Sequence, residues 1–454
     1  MKRLARTLSG LAAALVAATV ATVATVATVA TVATGATAAG SAAGGETTPA
    51  PPAAWPPHYG NAPEEMVPYR RATPYVRFFT EQQPFLGPGR DYPAPEGLKS
   101  LKIGVLASSP YSVDGARGEM MRHGIELAVE EANAARGAGD LPFELVVRED
   151  APLWGSAANI MIDLAFKDEV LAVIGSVDST ATHVALRVGL KAELMMVNTG
   201  SSDQTVTETN VPWLIRVFPD DRQHGYRLAS IVVKEKGSKR IAVLRSNDRY
   251  ARMGIKPFND SVRRLGVPIR QEMRFTPGDK TFDAAIERIR KVDPDAVVLW
   301  GEAADAGRAA AALRKAGIKA PLFGPDRLLD PAFLKEAGEA AEGTTVTFPM
   351  VLGRMDEVWT SFERRFTQRW GKAPDYFAAY AYDGTRITVD AIRQAGPNRF
   401  RIHDALYALR TYEGVSGPMR FDPNQNNLSP LHVYKVTGGK FVAVVPLERQ
   451  VASK

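Results

Sequence analysis

The sequence contains no cysteine. This absence excludes disulfide bonds, thiolate zinc sites, iron–sulfur clusters and cysteine nucleophiles, and it also excludes a lipid anchor on an N-terminal cysteine. It does not exclude an oxidising compartment, because a chain of 454 residues can bury a large core without cross-links. The length predicts two or three lobes.

Sequence motifs for catalysis are missing as well. The chain has no G-x-G-x-x-G, Walker A, G-x-S-x-G or H-E-x-x-H motif. Its six histidines are scattered, and none has a histidine or an acid four residues further on that would indicate a zinc pair. We therefore expect no catalytic residue, no metal site and no cofactor.

Strong charge of one sign is also lacking. The formal net charge is +6, and three of the basic residues lie within the first six positions. The rest of the chain has 53 basic and 50 acidic residues, a net charge of +3. This balance is too weak to favour nucleic acid as a partner.

The N-terminus has the pattern of an export signal. Basic residues in 1–6 precede a long apolar run of Ala-Thr-Val repeats, and residues 36–38 offer a small-x-small cleavage site. We expect a signal peptide over 1–38 and a periplasmic or secreted protein. The alternative is an uncleaved membrane anchor, because the run is long enough to span a bilayer.

Residues 39–97 form an arm rich in proline and aromatic residues. Twelve of the 31 prolines lie between Pro49 and Pro95, and no helical or strand periodicity survives there. Two interpretations stay open. The arm is either a tether whose aromatic half lies along the globular body, or a docking arm for a partner.

From Leu98 onward, short apolar runs alternate with amphipathic segments. Runs such as 101–106, 170–174 and 194–198 predict buried strands, and the segments between them predict helices. The alternation restarts near residue 222. We therefore predict an α/β fold of two doubly wound parallel-sheet lobes, the second with a strand over 267–275. Three helical stretches, over 355–370, 375–395 and 402–411, and a C-terminal hairpin over 432–446 follow.

Polar residues follow several of the predicted strands. Residues 175–180 and 199–203 combine glycine with Ser, Thr and Asp at the point where two neighbouring strands end. Such turns expose backbone N–H groups and cradle an anion such as a carboxylate. In the second unit, Asp326 follows a short strand and suits a cationic ligand group. The alternatives are ordinary helix caps and a surface turn.

From about Leu98, the chain resembles the type I periplasmic binding proteins, specifically the leucine/isoleucine/valine-binding receptors of ABC importers. The stretches that carry the resemblance stand in family order: 102–106, 124–133, 173–176, 248–254, 281–283, 317–319, 323–326, 341–343 and 380–383. It implies two lobes joined by three hinge crossovers, near 218–221, 347–352 and 417–422. The N-terminal lobe would hold 98–219 and 349–418, and the C-terminal lobe 220–348 and 419–454.

The resemblance also implies a ligand site between the lobes. Ser179 and Thr180 match donors to a ligand carboxylate, and Tyr250 matches an aromatic residue that closes over the ligand. Asp326 matches the acid that pairs with an α-ammonium group. The implied ligand-binding residues are Ser109, Tyr111, Ser179, Thr180, Ser201, Ser202, Tyr250 and Asp326.

Some positions depart from the family pattern. Arg117 stands where that group has an aromatic pocket residue, Glu302 stands where a second tyrosine is expected, and the N-terminal-lobe disulfide is missing. The loop 108–111 lacks the usual small-Gly turn. These departures argue against leucine as the ligand, and Arg117 favours a polar or acidic one.

Two functions follow as expectations. The first is a receptor, monomeric and not a lipoprotein, that delivers a small amino-acid-like ligand to an ABC permease. The alternative is a ligand-binding sensor or interaction protein on the same fold, for which the aromatic arm is the motivation.

Overall fold

The computed structural model describes residues 87–150, 155–209 and 211–444. The predicted signal peptide and the arm up to residue 86 lie outside the described residues. In these ranges no helix is both long and apolar enough to cross a membrane. The described chain forms two lobes, each built on a largely parallel sheet, which confirms the predicted fold class.

The first lobe contains a five-stranded, fully parallel sheet in the order β2-β1-β3-β4-β5. The central strands are buried on both faces, which explains why they appear in the sequence as unbroken apolar runs. The strands are β1 (Leu101–Ser108), β2 (Phe143–Asp150), β3 (Ala172–Gly175), β4 (Met196–Asn198) and β5 (Leu214–Arg216). The helices between them are α1 (Gly115–Ala134), α2 (Ser156–Ile162), α3 (Ser179–Ala192) and α4 (Thr205–Glu208).

The second lobe contains a seven-stranded sheet in the order β14-β13-β10-β9-β8-β6-β7, in which β13 is antiparallel to its two neighbours β10 and β14 and the other pairings are parallel. The strands are β6 (Ile241–Ser246), β7 (Gln271–Phe275), β8 (Ala296–Trp300), β9 (Leu322–Gly324), β10 (Thr345–Phe348), β13 (His432–Thr437) and β14 (Lys440–Ala443). The helices are α5 (Asp221–Ala229), which continues as a π-helical segment (Ser230–Glu235), α6 (Arg249–Arg264), α7 (Asp283–Lys291), α8 (Ala303–Lys315) and α9 (Pro331–Ala337).

After β10 the chain returns to the first lobe. It forms α10 (Glu357–Trp370), α11 (Tyr376–Ala395), α12 (Arg399–Ala408) and a hairpin of β11 (Thr411–Gly414) and β12 (Gly417–Arg420). Helix α11 packs against α1 at close range. Gly124 allows this approach, because a Cβ atom there would collide with the carbonyl group of Ala378.

Three connections join the two sheets: 217–220, 349–356 and 421–431. Buried polar contacts hold the first and third connections together. The side chain of Asn427 donates to the carbonyl of Val217 at 2.7 Å, and Gln223 donates to the carbonyl of Asn427 at 2.7 Å. Because these groups are buried and paired, the connections lie in fixed positions beside β5.

The end of the arm lies against the first lobe. Arg90 forms a bidentate ion pair with Asp404 at 2.8 and 2.9 Å and lies over the ring of Phe400. Asn398 donates to the carbonyl of Gly89 at 3.1 Å. This contact agrees with the tether interpretation for residues 87–92.

The structure corrects two local predictions. A helix predicted over 402–411 begins at Arg399 and ends at Ala408, because Thr411 already starts the hairpin, which the periodicity analysis missed. A strand predicted from 267 begins at Gln271. Pro268 lacks the N–H group that a strand position would use, which accounts for the later start.

Candidate functional site

The carboxyl ends of strands from both sheets face one another between the lobes. On the first lobe, the turn after β3 leads into α3, where Asp178 caps the helix by accepting from the backbone N–H of Ala181. Gly175 precedes this turn with a φ of +116°, a conformation that favours glycine. The first residue of α3, Ser179, is therefore placed at the inner edge of the sheet, and it is buried.

The turn after β4 meets the first turn directly. The hydroxyl of Ser201 donates to the hydroxyl of Ser179 at 3.0 Å. The fully buried Arg216 holds this second turn in place by donating to the carbonyls of Ser201 and Asp203 at 3.0 and 2.8 Å. The two strand-end turns thus form one buried hydroxyl cluster.

Asp326 lies on the second lobe, in the turn that follows β9, and is 2% exposed. It accepts hydrogen bonds from Tyr250 at 3.4 Å and from Tyr376, the first residue of α11 on the other lobe, at 3.2 Å. Burial raises the pKa of both tyrosines well above their usual value, and the charge of Asp326 adds to this effect. Both hydroxyls therefore remain donors at neutral pH.

A second acid, Asp221, is the first residue of α5 and contacts the turn after β4 on the first lobe. It accepts from the hydroxyl of Ser202 at 3.1 Å, and its other carboxylate oxygen has no partner in the described part of the chain. Burial raises the pKa of Asp221 well above its usual range, and the charges of Asp326 and Asp203 raise it further. Asp221 therefore tends to keep its proton, and the carboxylate that suits an ammonium group at this site is Asp326.

His224 borders this acidic region. Its Nε2 atom lies 3.9 Å from a carboxylate oxygen of Asp326, and its Nδ1 atom lies 2.9 Å from the hydroxyl of Thr347. Burial lowers its pKa, so the neutral imidazole is favoured. It therefore adds no fixed charge beside Asp326.

A group of four charged residues, which we call the charged cluster, lies beside the tyrosines. Arg117 and Arg327 both pair with Glu302, each at a different carboxylate oxygen. Arg117 also donates to Asp114 at 3.0 Å. Because Asp114 and Arg117 belong to the first lobe and Glu302 and Arg327 to the second, the charged cluster spans the cleft.

The eight sequence-predicted residues fall into two groups. Ser179, Ser201, Ser202, Tyr250 and Asp326 are buried between the lobes. Ser109, Tyr111 and Thr180 instead line a cavity of about 510 Å³ within the first lobe. Tyr111 is 94% exposed, and Thr180 is exposed although its neighbour Ser179 is buried.

Several residues of the site were not predicted from the sequence. Asp221 was part of a predicted crossover, and an acid at the start of the helix that follows β5 was the available signal. Tyr376 had no local signal, because only the packing of α11 brings it to Asp326. The same is true of Asp114 and Arg327, which contact the site through the charged cluster.

Comparison with known proteins identifies the family. A family model described as "Periplasmic binding protein" matches residues 100–440. An amino acid binding protein of Pseudomonas aeruginosa is 26% identical over 306 residues, which cover 66% of this chain and 80% of that protein. A leucine-, isoleucine-, valine-, threonine- and alanine-binding protein of the same organism is 24% identical, over 67% and 81% of the two chains.

Solved structures of binding proteins have a similar fold and support the same family. A leucine binding protein of Thermotoga maritima superposes with a TM-score of 0.68 at 25% identity, over 76% of this chain and 98% of that one. A branched-chain amino acid binding protein of Streptococcus pneumoniae in complex with isoleucine gives 0.67 at 25% identity, over 76% and 100%. Members of this family bind solutes and are not enzymes. The chain belongs to the type I periplasmic binding proteins, in the branched-chain amino acid group.

Proposed function

We propose that this protein captures a small amino-acid-like ligand between its lobes and delivers it to an ABC importer. The observation that carries the proposal is Asp326, a carboxylate buried between the lobes. It accepts a hydrogen bond from one tyrosine of each lobe, Tyr250 and Tyr376. A buried carboxylate gains most from a paired cation. The α-ammonium group of an amino acid is such a cation.

The opposite side of the site suits the carboxylate of the same ligand. The hydroxyls of Ser179 and Ser201 and the backbone N–H groups at the start of α3 are donors near the positive end of a helix. Tyr250 covers the ligand from the second lobe. Ser109, Tyr111 and Thr180 belong at the entrance of the site, where they line the first-lobe cavity.

Location and assembly complete the proposal. Residues 1–38 direct export, the mature protein is periplasmic and monomeric, and it carries no lipid anchor. The N-terminal lobe consists of 98–219 and 349–418 and the C-terminal lobe of 220–348 and 419–454, except that the last boundary lies after β12, which ends at Arg420. Closure of the lobes on the ligand creates the surface that the permease binds.

Thermal unfolding with a library of amino acids and their amides tests ligand binding. A ligand at 100 times its dissociation constant stabilises the folded state by about 2.7 kcal/mol, and the melting temperature rises accordingly. Calorimetry then gives the affinity. If no compound raises the melting temperature of folded protein, the proposal is wrong.

Transport is tested separately, by uptake of the identified ligand in cells that express the chain together with its permease and ATPase. We expect uptake to be lost when the binding protein is deleted. Binding without any effect of deletion on uptake would contradict the delivery role and leave the binding role in place.

A further inference from the structure

We propose that the ligand is an amino acid whose side chain carries an oxygen acceptor, and that the charged cluster of Asp114, Arg117, Glu302 and Arg327 selects it against branched aliphatic amino acids. This inference rests on the proposed function, because it assigns the side-chain end of the same site. The relatives named above include proteins whose names or bound ligands are leucine or isoleucine. The charged cluster distinguishes this chain from a site built for such apolar side chains.

Arg327 places the charged cluster next to Asp326 and Tyr250. This residue follows Asp326 directly, and its guanidinium lies 3.8 Å above the ring of Tyr250. A ligand whose ammonium group pairs with Asp326 and whose carboxylate meets Ser179 has its Cα between the two lobes. We place its side chain toward Arg327 and its partners on the other lobe, because Arg327 adjoins Asp326 and covers Tyr250.

The charged cluster has unused donors. Arg327 makes both of its ion pairs, with Glu302 and with Asp114 at 4.0 Å, through the single nitrogen Nη1. In the described ranges its Nε and Nη2 atoms donate to no acceptor, and the Nε of Arg117 is likewise unused. These groups can donate to a hydroxyl, amide or carboxylate oxygen of a ligand.

Because the charged cluster is largely buried, its unused donors affect which ligand side chain can bind. The side chains of Arg327 and Asp114 are 5% and 8% exposed, and those of Arg117 and Glu302 are 17% and 21% exposed. An aliphatic side chain placed against the charged cluster would remove the remaining water from the guanidinium groups and return no hydrogen bond. An unpaired buried donor is costly, so a site of this kind rejects the apolar analogue.

Near-isosteric pairs of amino acids test the inference on the unaltered protein. Calorimetry compares threonine with valine, asparagine with leucine, and glutamine with methionine. We expect the oxygen-bearing member of the best-bound pair to bind more tightly, by at least about tenfold. Equal or tighter binding of valine, leucine or methionine would overturn the inference and leave the proposed function intact. Failure of every amino acid and amide of the library to bind would overturn the proposed function and this inference with it.

A double variant tests whether the charged cluster is the cause. Arg117→Met with Glu302→Leu removes the pair that joins the lobes, and we expect the preference for the oxygen-bearing ligand to narrow or reverse. The matched control is Arg369→Met with Glu130→Leu, which removes an exposed ion pair between α10 and α1 and should leave the preference unchanged. Glu302→Gln is the conservative variant if the double variant does not fold. A preference that survives in the cluster variants would overturn the assignment to this cluster.

Discussion

The two groups of predicted site residues differ in what covers them. Ser179 and Thr180 are consecutive at the start of one helix, yet Ser179 is buried against Ser201 and Thr180 is exposed at the edge of the first-lobe cavity. On a helix, adjacent residues point about 100° apart, so only one of them faces the opposite lobe. Whether a residue belongs to the inter-lobe site therefore depends on the direction of its side chain as well as on its position after a strand.

The largest expected effect comes from the buried group. Asp326→Asn removes the negative charge while keeping the size of the side chain. We expect the free energy of binding of an amine-bearing ligand to weaken by about 2–5 kcal/mol, because a buried charge loses its partner. Calorimetry measures the effect, and urea unfolding of the same variant checks that the fold is intact. Unchanged affinity would remove Asp326 from the site.

The adjacent pair of α3 sharpens the comparison. Ser179→Ala should weaken binding by about 1–3 kcal/mol, because a buried acceptor or donor is left without a partner. Thr180→Ala is the matched control on the same turn, and it retains the backbone N–H. If the two variants have equal effects, the division of the site into two groups is wrong.

The charged cluster gives a prediction about pH. Burial would raise the pKa of Glu302, but Arg327 and Arg117 outweigh burial and lower it from 4.5 to about 2. As the pH falls, the unfolded chain takes up the proton first, because its carboxylate has the higher pKa. The contribution of Glu302 to the free energy of unfolding is thus fully present above about pH 4.5 and is lost as the pH falls toward 2. Urea unfolding of Glu302→Gln should therefore depend less on pH between 5 and 2 than that of the unaltered protein. If the free energy of unfolding changes equally with pH in both proteins, the pairing of Glu302 with Arg117 and Arg327 is contradicted.

The smallest effect is expected in the exposed group. Tyr111 has 94% of its surface exposed, so Tyr111→Ser should change the free energy of binding by less than about 0.5 kcal/mol. Calorimetry with the ligand found for the unaltered protein checks this. A larger loss would show that the first-lobe cavity and the inter-lobe site act together on one ligand.

Much of the fold could be predicted because its signals are local. Apolar runs such as 101–106 and 296–300 are strands in the structure, and the restart of the alternation near residue 222 marks the second lobe. The hairpin of β11 and β12 had no comparable signal. Its strands are only four residues long, Thr-Tyr-Glu-Gly and Gly-Pro-Met-Arg, and neither contains an apolar run long enough to mark a strand.

The sequence by itself determined the two α/β units, the strand-end turns and the acid at 326, because periodicity, helix caps and turn residues act over a few positions. Only the tertiary structure decided which of these residues meet. Tyr376 reaches Asp326 because α11 returns to the first lobe after the second is complete, and Arg117 reaches Glu302 across 185 positions of sequence. Such contacts depend on the packing of whole lobes, for which no short stretch of sequence carries a signal.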